Sequence, residues 1–309
     1  MKDKAVVFAG QGAQYIGMGK DLVEAYPECK MLFDKADAVL GYNLSKICFE
    51  GPKSELTKSS NCQPAIFVIS VACYRAFAKE AGNFVFKGMA GLSLGEWTAL
   101  HVAGGLSFED TLRVLEARGR FMQEACEEKQ GGMISIIGLP MEKLEEICKK
   151  TGVEIANFNS LEQTVLSGEK IGIAEAERIA KEMDARSVIV LNVAGAFHSS
   201  LMKPAARKLE NFLNGIDIKP LSIPVVANVT GQPHGSSEEI KKTMVKQITS
   251  LVKWVFCINW FTDNGVKSYL EFGPGKVISE LIKQIDKNSV VNNIQDYATL
   301  MTFLSEKAK

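Results

Sequence analysis

A serine framed by glycines marks the segment of this chain that is best suited to chemistry. Ser93 stands in Gly91-Leu-Ser-Leu-Gly95, after a short apolar run that begins at Phe84 and before a helix-like stretch. Small residues at both ends permit a sharp strand-to-helix turn, which lifts the serine hydroxyl to the N-terminus of a helix. Free backbone N–H groups and the helix dipole stabilise negative charge there. A chance match to so short a pattern is the alternative, but the context favours a nucleophile.

A serine nucleophile needs a base, and histidine is the usual one. The chain has three histidines. His101 lies two turns beyond Ser93 on the same predicted helix, where we expect a packed ring, and His234 lies in a polar turn, where we expect a solvated ring. His198 follows the last strand of the middle region, and a crevice between two units is a common place for a site. By elimination His198 is the candidate base. No acidic third member stands out, so a backbone carbonyl would fix its tautomer instead.

Strands and helices alternate in both ends of the chain, which predicts an α/β fold with a parallel sheet covered on both faces. Expected elements include a helical region over 94–127, strands over 223–227 and 268–272, and a helix around Met244. Between 133 and 193 the order is βαββαβ, which is that of the ferredoxin-like unit. We therefore predict a catalytic unit formed by residues 1–124 and 196–309, with residues 125–195 inserted as a ferredoxin-like subdomain.

Composition excludes several function classes. Lysine and arginine total 36 and acidic residues total 36, so the zero net charge argues against a general nucleic-acid binder. Seven cysteines without CxxC spacing predict reduced, mostly buried thiols rather than disulfides or a zinc site. We find no signal peptide and no run of about 18 apolar residues, and expect a cytoplasmic protein that spans no membrane. Gly10-Gln-Gly12 and Gly273-Pro-Gly275 fail the phosphate-loop patterns, so no nucleotide cofactor site is predicted.

Several further motifs, taken together, resemble one family. In chain order they are Val7-Phe-Ala-Gly-Gln-Gly-Ala-Gln14, Gly17-Met-Gly19, Gln63-Pro-Ala-Ile-Phe67, Gly91-Leu-Ser-Leu-Gly-Glu96, Arg118-Gly119 with Met122, Asn157 with Asn159, Gly195-Ala-Phe-His198, Asn228, Gln247 with Trp254, and Glu271-Phe-Gly-Pro-Gly-Lys276. This set resembles the malonyl-CoA:acyl carrier protein transacylases and the acyltransferase domains of polyketide and fatty acid synthases, over essentially the whole chain. It implies an α/β-hydrolase-like large subdomain with the ferredoxin-like insertion.

The resemblance also implies a catalytic machinery. Ser93 would be the nucleophile and His198 the base, and the main-chain carbonyl of Gln247 would orient His198, which accounts for the missing carboxylate. The backbone N–H groups of Gln11 and Leu94 would form the oxyanion hole.

A substrate-binding set is implied in the same way. Arg118 would pair with the free carboxylate of a malonyl group, since a planar guanidinium binds a carboxylate bidentately and lysine does not. Without the resemblance, a surface arginine on a helix is the favoured interpretation. Phe197 would fill the space that a C2 methyl group needs, because a Phe at this position goes with malonyl in the related synthase domains. Gln63 and Asn157 complete the set.

The implied activity is transfer of the malonyl group from malonyl-CoA to the phosphopantetheine thiol of a holo acyl carrier protein, through a malonyl-serine intermediate. A monomer without metal or redox cofactor would suffice, in fatty acid or polyketide synthesis. A trans-acting acyl hydrolase of the same fold is the alternative, against which Arg118 argues. A docking module without activity is the other, against which Ser93 and His198 argue. The chain departs from the family pattern at Leu92, where histidine is usual, and at Leu251, where proline is usual.

Overall fold

The computed structural model describes residues 3–82 and 84–307; residues 1–2, 83 and 308–309 of the predicted units lie outside the described residues. The strands, in chain order, are β1 (Lys4–Phe8), β2 (Met89–Gly91), β3 (Gly131–Ile137), β4 (Glu154–Phe158), β5 (Gln163–Glu169), β6 (Ser187–Val190), β7 (Ser268–Phe272) and β8 (Val290–Ile294). The helices are α1 (Lys20–Ala25), α2 (Pro27–Leu40), α3 (Leu44–Glu50), α4 (Lys53–Thr57), α5 (Ser59–Ala81), α6 (Leu94–Val102), α7 (Phe108–Glu128), α8 (Met141–Thr151), α9 (Lys170–Glu182), α10 (Lys203–Leu213), α11 (Ser237–Gln247), α12 (Trp254–Asp263), α13 (Val277–Ile285) and α14 (Tyr297–Lys307).

A parallel four-stranded sheet forms the centre of the larger region. Its strand order is β2-β1-β7-β8. After Lys4, the residues of β1 are apolar without alternation, as is typical of a strand in a sheet that is covered on both faces. Val6 and Phe8 pack on the side of α5 and α7, whereas Ala5 and Val7 pack on the side of α12 and α13. Because the strands are parallel, their carboxyl ends lie at the same edge of the sheet, and helices pack on both of its faces.

An antiparallel four-stranded sheet, in the order β4-β5-β3-β6, forms the second region. One face is covered by α8 and α9, against which Ile134, Ile136 and Leu166 pack. The opposite face carries Met133 and Ser135, which alternate with those isoleucines along β3 and line a cavity. The fold is thus α/β, with one parallel and one antiparallel sheet, and the cavity lies against the uncovered face of the antiparallel sheet.

Several expected elements differ in extent. The helical region over 94–127 is interrupted at 103–107, so it forms α6 and α7. The strand expected over 223–227 is wrong: only isolated bridges occur there, one of them between Val225 and Met89. The last strand of the middle region stops at Val190. The expected strand over 268–272 and a helix at Met244 are present.

The seven cysteines are all free, and all except Cys148 are buried. No helix among the described residues combines the length and apolarity needed to cross a membrane.

Candidate active site

Ser93 lies on the turn between β2 and α6, with a strained backbone. Its φ of 54° falls in the region of backbone conformation that residues other than glycine rarely adopt. The flanking glycines allow this turn: a Cβ on Gly91 would collide with the main chain of Gly95, and a Cβ on Gly95 would collide with the Phe8 carbonyl. The turn places the serine directly before the first residue of α6.

His198 lies within hydrogen-bond distance of the serine. Its Nε2 is 2.9 Å from Ser93 Oγ, and its Nδ1 is 2.8 Å from the main-chain oxygen of Gln247. Because a carbonyl oxygen only accepts hydrogen bonds, Nδ1 must carry the proton and Nε2 is left to accept one from the serine. Burial, and then the nearby Arg118 cation, lower the pKa of His198 to about 4. At neutral pH the ring is therefore uncharged and able to act as a base.

Arg118 is a buried residue of α7, with 1% of its surface exposed. Its Nη1 donates to Gln63 Oε1 at 2.7 Å, and its Nη2 lies 3.0 Å from both Ser93 Oγ and Gln247 Oε1. Burial lowers the pKa of the guanidinium to about 10, which leaves it charged at neutral pH. The interpretation of Arg118 as a surface arginine is thus wrong.

A close helix contact buries Arg118. The next residue is Gly119, and a Cβ there would collide with the main chain of Ser59 at the start of α5. Only glycine lets α7 approach α5 so closely. This approach brings the Arg118 guanidinium within hydrogen-bond distance of Ser93 Oγ.

Gln11 and Leu94 are the two residues whose backbone N–H groups were expected to form the oxyanion hole. Leu94 is the first residue of α6, where backbone N–H groups have no partner inside the helix. Gln11 follows β1 and lines the cavity; its Nε2 donates to Ser59 Oγ at 3.2 Å, and its Oε1 accepts from Gln63 Nε2 at 3.4 Å. Gln11 thus lines the same cavity as Ser93, and Leu94 is the residue that follows Ser93 in the chain.

The cavity over Ser93 has a volume of about 710 Å³. Ser93, His198, Phe197 and Asn157 all line it. Asn157 reaches it through a β-bulge: it pairs with Val165, whereas Ile155, two residues earlier, pairs with Leu166 and packs on the helical face. Without the extra residue Asn157 would share the face of Ile155. The other lining residues are Gln11, Gly12, Gln14, Ser54, Thr57, Lys58, Leu92, Met122, Gln123, Met133, Ser135, Asn159, Gln163, Val165, Leu191, Asn192, Val193, Ala194 and Val277.

Comparison with known proteins confirms the family resemblance over nearly the whole chain. Residues 5–294 match the acyl transferase domain family. The chain is 41% identical over 308 residues to the malonyl CoA-acyl carrier protein transacylase of Bacillus subtilis, covering 97% of this chain and 96% of that protein. The chain belongs to the malonyl-CoA:acyl carrier protein transacylase family. It is therefore a transferase, and more narrowly an acyltransferase.

Solved structures of the family share this fold. A malonyl-transacylase in complex with its type II polyketide synthase acyl-carrier protein superimposes with a TM-score of 0.94 at 39% identity, covering 98% of this chain and 99% of that one. The malonyl CoA-acyl carrier protein transacylase from Clostridium perfringens superimposes with a TM-score of 0.93 at 36% identity, covering 99% and 97%. The two-sheet α/β fold of the chain is thus that of the transacylase family.

The transacylase site also contains buried groups that the sequence did not reveal. His234 was expected to be solvated, and this is wrong: its side chain is 1% exposed, and its Nε2 lies 2.7 Å from Glu96 Oε1. Glu96 is completely buried in the first turn of α6. The sequence signal for a buried carboxylate was that Glu96 is the only charged residue in the mostly apolar stretch from Leu94 to Leu100. His101 packs between Phe67 and Phe108, as expected.

Proposed function

We propose that Ser93 and His198 carry out the S-malonyltransferase reaction of this family by a two-step exchange. His198 Nε2 takes the proton of the Ser93 hydroxyl as Oγ attacks the thioester carbonyl of malonyl-CoA. The tetrahedral intermediate collapses, its C–S bond breaks, the thiolate takes the proton from His198, and CoA leaves. The 2.9 Å separation of Nε2 and Oγ and the uncharged ring support this step.

The second step reverses the first with another thiol. The phosphopantetheine thiol of a holo acyl carrier protein gives its proton to His198 and attacks the malonyl-serine ester. Oγ leaves and regains a proton from His198, so the enzyme returns to its starting state. In both steps the backbone N–H groups of Gln11 and Leu94 would hold the oxyanion, Leu94 by virtue of its place at the start of α6.

Arg118 is the observation that carries the malonyl assignment. A malonyl group on Ser93 ends in a carboxylate only two carbon atoms beyond the ester carbonyl carbon. The guanidinium, 3.0 Å from Oγ, lies within reach of that carboxylate and supplies its counter-charge in a dry site. An acyl hydrolase for neutral chains would place an apolar chain against a buried cation, which is costly. Gln63 would hold the other side of the guanidinium, 2.7 Å from Nη1.

We further infer how the two regions relate to known architectures. The antiparallel sheet has the order β4-β5-β3-β6 with α8 and α9 on one face, which supports a ferredoxin-like subdomain over residues 125–195. The parallel sheet and the serine turn support an α/β-hydrolase-like unit over 1–124 and 196–309. All the proposed catalytic groups come from one chain, which supports a functional monomer.

Intact-protein mass spectrometry tests the proposal. Mixing the protein with malonyl-CoA should add one malonyl group, and adding a holo carrier protein should move that group to the carrier. Ser93→Ala should form no adduct while it keeps the unfolding temperature of the parent. An adduct on the Ala variant would place the nucleophile elsewhere. Loss of the adduct to water, with no gain on the carrier, would favour the hydrolase.

A further inference from the structure

A cluster of buried polar groups lies behind the reacting atoms, and the two steps above do not use it directly. We call it the Glu96 cluster; it consists of Glu96, Asn228, His234 and the side-chain amide of Gln247. Glu96 Oε2 accepts from Gln247 Nε2 at 2.6 Å and from the backbone N–H of Asn228 at 3.1 Å, and Oε1 lies 2.7 Å from His234 Nε2. A buried carboxylate without such donors would be strongly destabilising, so the cluster is a built arrangement.

The carboxylate decides which way the Gln247 amide faces. An ionised carboxylate only accepts hydrogen bonds, so the amide nitrogen must face Glu96. The same nitrogen donates to the Ser93 carbonyl at 3.0 Å, and the amide oxygen is thereby turned to Arg118 Nη2, also at 3.0 Å. If the amide turned over, two N–H donors would face each other at Arg118. Glu96 therefore fixes the guanidinium through Gln247.

The other branch of the cluster holds the strained serine turn. Asn228 Oδ1 accepts the backbone N–H of Ser93 at 2.7 Å, and Nδ2 donates to the Gly91 carbonyl at 2.8 Å. Asn228 is itself tied to Glu96 through its own backbone N–H. One carboxylate thus braces both the turn that carries the nucleophile and the group that fixes Arg118.

His234 supports the carboxylate from the far side. Its side chain is 1% exposed, and its backbone N–H donates to the Val225 carbonyl at 2.9 Å, which anchors the ring over Glu96. With Nε2 as donor, Glu96 Oε1 is satisfied without contact with solvent. Removal of this donor would leave one oxygen of a buried carboxylate without a partner.

We propose that Glu96, held by His234, is a positioning residue for malonyl transfer. It keeps Arg118 aligned with the substrate carboxylate through Gln247 and keeps Ser93 in its turn through Asn228. This inference rests on the proposed function, because the alignment matters only if Arg118 binds a malonyl carboxylate.

The decisive measurement is the ratio of kcat/KM for malonyl-CoA to kcat/KM for acetyl-CoA, per active site titrated with a serine-directed fluorophosphonate. Glu96→Gln lets the Gln247 amide turn over and so displaces Arg118. We expect kcat/KM for malonyl-CoA to fall about 10²-fold, the effect of misplacing a catalytic group by about 1 Å, and the ratio to fall about tenfold. Glu271→Gln is the matched control: Glu271 is the other completely buried carboxylate among the described residues, and it accepts from the N–H groups of Ile278 and Ser279. Its loss should lower the unfolding temperature and leave the ratio unchanged.

A second pair of variants decides the question even if Glu96→Gln does not fold. His234→Leu removes the donor to Glu96, and His234→Gln keeps an N–H at a similar position. A lowered ratio in the Leu variant that the Gln variant restores supports the inference. A ratio that stays unchanged in folded Glu96→Gln, or in the Leu variant, overturns the inference, even where kcat/KM falls for both substrates by the same factor. Failure of the parent protein to form a malonyl adduct would instead reject the proposed function.

Discussion

Two walls of the cavity differ in how their polar groups are held. The catalytic wall is formed by Ser93 and His198, which line the cavity, and by the buried Arg118 and Gln247, which are hydrogen-bonded to them. It contains a cation and a base, joined by hydrogen bonds of 2.8 to 3.0 Å. The sheet wall, Met133, Ser135, Asn157, Gln163 and Val165, has no charge, and its Gln163 and Ser135 side chains are 3.3 Å apart. A charged group that is hydrogen-bonded to several buried neighbours fixes the position of reacting atoms. Neutral groups on a pleated face accommodate a ligand. We therefore expect the catalytic wall to control the rate and acyl choice, and the sheet wall to control affinity.

The largest effect on the catalytic wall is expected from His198→Ala. Loss of the base should slow acylation by malonyl-CoA about 10²- to 10⁴-fold. Stopped-flow release of CoA measures the step. His101→Ala is the matched control, since that ring packs between Phe67 and Phe108 and should affect stability more than rate. If His101→Ala gave the larger loss of rate in folded protein, the assignment of the base would be wrong.

The pH dependence follows from the same ring. The pKa of His198 is about 4, so the base form prevails at neutral pH, and kcat/KM for acetyl-CoA should stay constant down to about pH 5 and fall as the pH approaches 4. The Arg118 cation is the second cause of that low pKa. Arg118→Ala should therefore raise the pKa and move the acidic limb to higher pH. A limb that stays in place would show that the two groups are not coupled.

The next effect in size concerns acyl choice. Arg118→Ala should lower kcat/KM for malonyl-CoA by a factor that corresponds to about 2–5 kcal/mol of lost transition-state stabilisation, as expected when one partner of a buried charge pair is lost. Acetyl-CoA has no carboxylate and should lose much less. Arg118→Lys should restore only part of the ratio, since the bidentate geometry is lost. Equal losses for the two substrates would show that Arg118 is structural.

A smaller effect is expected at Phe197, which adjoins the base and lines the cavity. Phe197→Ser should raise the use of methylmalonyl-CoA relative to malonyl-CoA, because an aromatic ring occupies the space of a C2 methyl group. One methyl group in a pocket is worth about 1–3 kcal/mol. Competition between the two thioesters, read by mass spectrometry of the acylated protein, gives the ratio directly. An unchanged ratio would exclude Phe197 from the acyl pocket.

Features that depend on neighbouring residues in the chain could be predicted from the sequence. Features that depend on contacts between distant residues mostly could not. The serine turn could be predicted because glycines two residues away on either side permit it. The burial of Arg118 could not, since it depends on Gly119 meeting Ser59 in another helix. The pairing of Glu96 with His234 joins residues 138 positions apart, so a polar turn alone suggested a solvated ring.

The sheet wall shows the same limit of a local reading. The motif resemblance singled out Asn157, but the bulge that turns it to the cavity appears only in the pairing with β5. The strand expected over 223–227 failed because an apolar run with a proline does not reveal whether a neighbouring strand is available for pairing.

The smallest effect, and the sharpest test of the sheet wall, is expected from Asn157→Ala. The bulge between Ile155 and Asn157 places the amide on the cavity side. We expect it to contact the part of the substrate that is common to all acyl-CoA thioesters. Loss of one neutral hydrogen bond costs about 0.5–1.5 kcal/mol. We therefore expect KM for malonyl-CoA and acetyl-CoA to rise by the same factor, up to about tenfold, with kcat nearly unchanged. Steady-state kinetics on both substrates measures this. A fall in kcat, or a change in the malonyl-to-acetyl ratio like that of Arg118→Ala, would mean that Asn157 belongs with the catalytic wall, because only groups that act on the reacting atoms or on the malonyl carboxylate move those two quantities.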